Sequence, residues 1–99
     1  MKIIGTGRSH PSLVVTNEML SQFLDTSDEW ITSRTGIKER RIISSENLED
    51  LAIDAAKKAL ADANMDAKDL DYIICANVVN EFISPAMSCL IQGAIGATC

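Results

Sequence analysis

The sequence predicts an α/β fold, and three stretches carry that reading. Tyr72 to Val79, YIICANVV, is continuously apolar instead of alternating, as in a parallel-sheet strand covered by helices on both faces. Glu46 to Ala63 repeats apolar residues at three- and four-residue spacing, which is a helical face. A second such pattern follows Ser84 and Pro85 and runs to Ile95. Helices interleaved with apolar strands are the signature of the α/β class.

The elements follow in order. Lys2 to Thr6 is a short β-like run closing on Gly5 and Gly7. Its GTG is not a dinucleotide fingerprint, which needs GxGxxG opening directly into a helix; here Arg8-Ser9-His10-Pro11 intervenes. Pro11 marks a turn, and Leu13 to Val15 is a second extended piece. His10, the only histidine, lies beside that proline with no visible partner for a metal or a catalytic base and reads as a turn residue. Thr16 is placed to cap a helix from about Asn17 to Leu24, with Met19, Leu20, Phe23 and Leu24 on its apolar face. Ser44 and Ser45 are N-cap candidates for the helix starting near Glu46. Leu48, Leu51, Ala52, Ala55, Ala56, Ala59, Leu60 and Ala63 make a narrow, alanine-rich face that permits close approach of a sheet or helix. Asp50, Asp54, Lys57, Lys58 and Asp62 lie off that face and read as solvated charges, with Asp54 and Lys58 as a favourable i,i+4 pair. Asn64 suits a left-handed helix end. Cys75 reads as a small buried hydrophobe within its strand, and Asn80 to Ser84 as a loop. Ser84 and Pro85 are spaced as the N-cap and first residue of the last helix, which Gly96 ends.

Composition narrows the function. With 99 residues the chain is one small domain or a piece of a larger one. A hydrophobic fraction of 46% argues against disorder, and a net charge of −5 against general nucleic-acid binding. No apolar run is long enough to cross a bilayer, and MKIIGTG lacks a signal-peptide core. Cys75, Cys89 and Cys99, widely spaced and without CxxC, suit a reducing cytosol better than a disulfide or zinc framework. A buried strand needs neighbours on both sides, yet the other strand candidates are short. The chain also stops directly after a helix, where an α/β unit feeds its next strand, so a truncated domain is the expectation.

Against the acidic background one stretch stands out: Asp25 to Ile42, DTSDEWITSRTGIKERRI. It holds the only Trp and a basic cluster of Arg34, Lys38, Arg40 and Arg41. Thr26 and Glu29 are spaced as a capping box, which puts Trp30 in the first turn and Gly36 just past the helix end. Trp30 and Arg34 are then neighbours on one face. An aromatic plate beside an arginine suits a flat ring carrying anionic groups, because Arg forks onto phosphate and also stacks. On spacing alone the plainer reading is favoured: a Trp packed in a core, with Arg34 in a surface ion pair.

Taken together and in this order, KIIGTG, VTNEML, DTSDEWITSRTGIKERRI, LAIDAAKKALADA, DYIICANV and SPAMSCLIQGAIGA resemble the N-terminal part of β-ketoacyl-acyl-carrier-protein synthase III. The DTSDEWI…RTGI…RR block is the specific part, and the others support it by order. The resemblance implies the N-terminal part only of a thiolase-like fold layered αβαβα, with residues 1–99 truncated before the nucleophile motif. It implies a cytosolic homodimeric acyltransferase that initiates fatty-acid synthesis. Its substrates are acyl-CoA, which is a substrate and not a cofactor, and malonyl-acyl-carrier protein; no nucleic acid, membrane or metal takes part. By position, Trp30 resembles the residue that stacks on the coenzyme A adenine. Arg34 resembles the one holding the nucleotide end, and Thr26 a residue contacting the adenine. This moves the reading of Trp30 and Arg34 from structural to functional. The family's Ala-Ala-Cys motif and its catalytic His and Asn match nothing here, so no catalytic residue is assigned and the chain alone is expected to be inactive.

Many members carry Phe before the proline that opens the last helix, in a loop that walls the partner's acyl pocket across the dimer. Here that residue is Ser84, which implies a roomier or differently walled pocket, although Phe82 is close enough to occupy the same space. Lys38, Arg40 and Arg41 are possible carrier-protein contacts, against the alternative of solvated charges around a turn. Two other readings stay open: another thiolase-like condensing enzyme of polyketide or hydroxymethylglutaryl-CoA-synthase type, and a non-catalytic coenzyme A-binding or dimerisation module.

Overall fold

In the computed structural model residues 1–78 and 84–99 are described. Their elements are β1 (Leu13–Thr16), α1 (Asn17–Ser21), α2 (Asp28–Thr35), β2 (Glu39–Ile42), α3 (Leu48–Ala63), a 3-10 turn (Ala67–Asp69) and α4 (Met87–Ile95). They divide into two units, residues 10–45 and residues 1–9 with 46–99.

In the unit of residues 10–45, β1 and β2 form an antiparallel pair in the register Val14↔Arg41 and Val15↔Arg40. The branched side chains of Val14, Val15 and Thr16 suit a pleated surface, so β1 was legible. ERRI has no apolar alternation, and its strand exists because β1 offers it a ladder. Thr16 caps α1 as expected, its Oγ1 accepting from Met19 N at 3.3 Å. The helix stops at Ser21, short of the expected Leu24. The N–H groups of Gln22 and Phe23 turn instead to the Met19 and Leu20 carbonyls three residues back. Phe23 is 71% exposed, so packing does not prolong this single turn.

In the other unit, α3 begins two residues later than expected. Asn47, not Ser44 or Ser45, is the cap, with Oδ1 accepting from Asp50 N at 2.9 Å. The helix ends on Asn64 in the left-handed conformation as the sequence indicates. Its alanine row does meet a close neighbour, the backbone of residues 5–7. A Cβ on Gly5 would lie 2.7 Å from Ala63 Cβ and 2.8 Å from Ala59 O. One on Gly7 would run into the backbone of Ala55 and Ala59. Thr6 N donates to Asp62 Oδ2 at 2.9 Å. Asp54 pairs with Lys58 at 2.8 Å. Hydrogen bonds from Lys58 and then Ser9 hold its carboxyl below the ordinary carboxylate value. Asp54 and Asp62 are therefore more than solvated charges: they fasten the first residues of the chain to α3.

Two strand expectations are corrected. Neither Lys2–Thr6 nor residues 72–78 are in a sheet. A strand needs a ladder for its N–H and C=O groups, and no described segment offers one to either stretch. Ile74 and Val78 are accordingly 89% and 99% exposed instead of buried. Cys75 is half-buried, and all three cysteines are free thiols. The last helix also starts later than expected, at Met87. Ala86 is its extended first flank and brings no side-chain cap, so Ser84 and Pro85 lie outside it. Helices α3 and α4 pack together, with Met87, Ile91 and Ala67 as the buried apolar residues. Beside them an apolar groove of about 260 Å3 opens between Ala59, Leu60, Ile73, Ile91 and Ile95.

Candidate functional site

Helix α2 carries the candidate site. The sequence places its start on a Thr26–Glu29 capping box; the structure puts the cap one residue later. Ser27, with extended backbone, accepts from Trp30 N through Oγ at 3.1 Å. Thr26 lies outside the helix, its N–H donating to Leu24 O at 2.9 Å. Its hydroxyl oxygen is buried without a hydrogen-bond partner. Ser27 is as good a cap as Thr26, and the tertiary placement of the preceding turn decides between them. Gly36 ends the helix at φ 72°, its N–H donating to Thr32 O at 2.8 Å.

Trp30 and Arg34 meet as their spacing indicates, with the guanidinium carbon 4.7 Å from the ring centroid. The indole is 54% exposed, so it is not a core residue of this unit. The pair forms an open plate that is aromatic, with one permanent positive charge. No residue of α2 is fully buried; Ile31 and Thr32 are half-buried.

Asn17, unremarked in the sequence, hydrogen-bonds to this helix. It is 1% exposed. Its Nδ2 donates to Asp28 Oδ1 and to Ile37 O, both at 2.8 Å, and makes a longer 3.4 Å contact to Thr32 Oγ1. Its Oδ1 accepts from Arg40 Nη2. Hydrogen bonds from Asn17 and then Thr32, helped by nearby Lys38, hold the Asp28 carboxyl below its ordinary value. The available signal was weak: an asparagine directly after a helix cap, where an exposed helix former would serve as well.

The basic cluster does not form one patch. Arg40 is half-buried, with Nη1 donating to Val15 O at 3.2 Å in addition to its bond with Asn17. Arg41 is exposed, with a 3.4 Å contact from Nη1 to Pro11 O. Neighbours on a strand point to opposite faces, and Arg40 and Arg41 have different partners accordingly. Lys38 and Arg34 are exposed. Ser84 is exposed, whereas Phe82 lies outside the described residues. A shallow hollow of about 440 Å3 among Tyr72, Ser88, Cys89, Gln92 and Cys99 is a separate feature of the other unit. Among the described residues no cluster of His, Cys, Asp and Glu is placed to hold a metal ion. No described helix is long and apolar enough to cross a membrane.

No protein-family model matches the chain. Individual relatives do. It is 49% identical over 98 residues to β-ketoacyl-acyl-carrier-protein synthase III of Clostridium beijerinckii, covering 99% of this chain and 30% of that protein. The Enterococcus faecalis protein of the same name is 48% identical over 97 residues. The crystal structure of 3-oxoacyl-acyl-carrier-protein synthase III from Aquifex aeolicus superposes with a TM-score of 0.92 at 48% identity, over 98% of this chain and 32% of that one. A priming β-ketosynthase of a polyketide pathway gives 0.89 at 29% identity, over 97% of this chain and 30% of that one. The chain thus spans about a third of the length of the proteins it matches, and its mixed helices and strands are part of their thiolase-like fold. By sequence over 99% of its length and by fold over 98%, the chain is a homologue of part of β-ketoacyl-acyl-carrier-protein synthase III.

Proposed function

We propose that this chain forms the coenzyme A entrance of a condensing enzyme of the β-ketoacyl-acyl-carrier-protein synthase III kind. The observation that carries it is the plate on α2, an indole 54% exposed with a guanidinium 4.7 Å from its centroid. A half-exposed indole offers ring surface to an adenine, and Arg34 supplies donors to the phosphates beside it. The Thr26 hydroxyl has no hydrogen-bond partner, and it would have to turn outward to reach an adenine. The enzyme takes an acyl group from acyl-CoA onto a cysteine thiolate, releasing coenzyme A. Malonyl-acyl-carrier protein then loses carbon dioxide, and its carbanion attacks the thioester, giving 3-oxoacyl-acyl-carrier protein and the free thiol. The resemblance puts that cysteine, and its His and Asn partners, outside these 99 residues. The role of these residues is therefore to bind and orient the acyl donor. It works in a cytoplasmic homodimer whose remaining chain supplies the ladder that residues 72–78 lack here.

The test is Trp30→Ala in the protein expressed from its complete coding sequence. Base–aromatic stacking is worth about 1–3 kcal/mol, so KM for acyl-CoA rises roughly five- to 150-fold at unchanged kcat. A KM within twofold of the parent overturns the assignment. The likeness to a polyketide-pathway priming ketosynthase favours a second reading, a condensing enzyme that primes polyketide synthesis. The identity of the acyl product separates the two.

A further inference from the structure

We propose that Asn17 is the positioning residue of the Trp30–Arg34 plate, a buried carboxamide that sets where α2 lies without touching the ligand. The positioning role stands on the hydrogen bonds, and only its consequence for affinity rests on the coenzyme A reading.

The helix that carries the plate buries no residue of its own. A single-turn helix and a two-stranded ribbon are the other elements of this unit. Asn17 reaches all of them. Its backbone N–H donates to Lys38 O at 3.2 Å, which ties the first residue of α1 to the entry of β2. Its side chain reaches the first residue of α2 through Asp28 at 2.8 Å and the link after that helix through Ile37 O at 2.8 Å. Arg40 on β2 closes the set by donating to Oδ1. Among the described residues Asn17 is the one side chain less than 2% exposed, so its carboxamide end of these bonds is shielded from water. Such a bond is costly to lose on the Asn17 side, because a buried carboxamide has no water to turn to, whereas Asp28 and Ile37 are themselves exposed.

The geometry gives the network a direction. Asp28 and Thr32 are one turn apart on α2 and both meet Asn17. Thr32 also donates to Asp28 at 3.1 Å. Trp30 and Arg34 are each two residues further on, about 200° around a helix that turns about 100° per residue. The face held by Asn17 is therefore opposite the face that carries the plate. Fixing one face fixes the direction of the other.

The chemistry also explains the residue type. The site needs donors for a carboxylate and a carbonyl, and an acceptor for a guanidinium, on one short neutral side chain. Aspartate would set a second carboxylate against Asp28. Leucine would leave Asp28, Ile37 O and Arg40 without their partner.

The experiment uses the protein from its complete coding sequence, with 5-fluorotryptophan incorporated and the Trp30 resonance assigned by Trp30→Phe. Asn17→Asp is expected to shift and broaden that resonance and to raise KM for acyl-CoA about tenfold, with kcat within twofold. Adding Asp28→Asn restores a donor–acceptor pair between the two positions, so the double variant returns most of the way on both readouts. A Trp30 resonance unchanged in folded Asn17→Asp overturns the proposal, as does failure of the double variant to recover it. A moved resonance with unchanged KM supports the positioning role and counts against the coenzyme A reading of Trp30. If Asn17→Asp does not fold, Arg40→Lys carries the test: it withdraws the guanidinium from Asn17 on a different element. There a small shift of the Trp30 resonance with KM up about threefold supports the proposal, and no change in either overturns it.

Discussion

Gly7→Ala is the sharpest test of how residues 5–7 lie on α3. The glycine is required by space and not by backbone angle, since the left-handed glycines are Gly36 and Gly96. A methyl at Gly7 would meet Ala55 O, Ala59 N and, at 3.0 Å, Lys58 C, all of them backbone atoms. A side chain can rotate away from such a contact, but a helix backbone moves only as a whole. Ordinary contact begins at 3.4 Å, so at the neighbouring Gly5 the 2.7 Å approach to Ala63 Cβ already asks for a shift of about 0.7 Å. Gly7 asks for more. Overpacking of this kind costs about 1–3 kcal/mol, and rigid backbone opponents place Gly7 at the upper end. The stiffer unfolded chain of the alanine variant offsets about 0.4–1 kcal/mol of that. The net expectation is a loss of about 2 kcal/mol. Gly36→Ala is the control. Its φ is +72° and nothing lies within 4 Å of the added methyl, so only backbone strain of about 1 kcal/mol applies. Urea unfolding followed by circular dichroism, on the protein from its complete coding sequence, measures both. Amide exchange at Thr6, whose N–H is held by Asp62, should also speed up in Gly7→Ala. A loss below about 0.5 kcal/mol at Gly7, or a larger loss at Gly36 than at Gly7, refutes the packing described here.

Two further outcomes follow from the site. Ser27→Ala removes the cap that holds Trp30 N and should cost about 1 kcal/mol. Thr26→Val replaces a buried hydroxyl that has no partner and should leave unfolding stability unchanged or slightly higher, while weakening acyl-CoA binding if Thr26 serves the adenine. The reverse order in urea unfolding would return the cap to Thr26. Asp28 contributes through pH. Its folded carboxyl titrates below the ordinary value because Asn17 and Thr32 bond its charged form. The stability it adds is thus present above the unfolded carboxylate value and is lost as pH falls through the lower folded one. Asp28→Asn should flatten the acid limb of a stability-against-pH curve, and an unchanged limb would show that the carboxylate is not held by Asn17.

Much of this chain was decided locally. The α3 alanine face, its end at Asn64, the Thr16 cap, the ends of α2 and α4 at Gly36 and Gly96, and the Trp30–Arg34 pair all depend on spacings within a few residues. Helical periodicity and capping chemistry are short-range, so the sequence displays them. The resemblance carried by Asp25 to Ile42 was likewise readable, because a linear motif needs no partner to be recognised. What the sequence left open was settled by contacts across the chain. The cap of α2 fell on Ser27 and that of α3 on Asn47, because several adequate caps stood side by side and placement selected among them. ERRI became a strand only because β1 lay ready to pair with it, while the far more strand-like residues 72–78 found no ladder among the described residues. Arg40 turned half-buried toward Val15 O and Asn17, and Asn17 became the residue on which α2 rests. Both roles come from bonds spanning tens of positions in sequence, and no local pattern encodes them. A side chain's spacing determined which residues stand beside it on a helix, but only the tertiary structure decided which distant donor or acceptor it would meet.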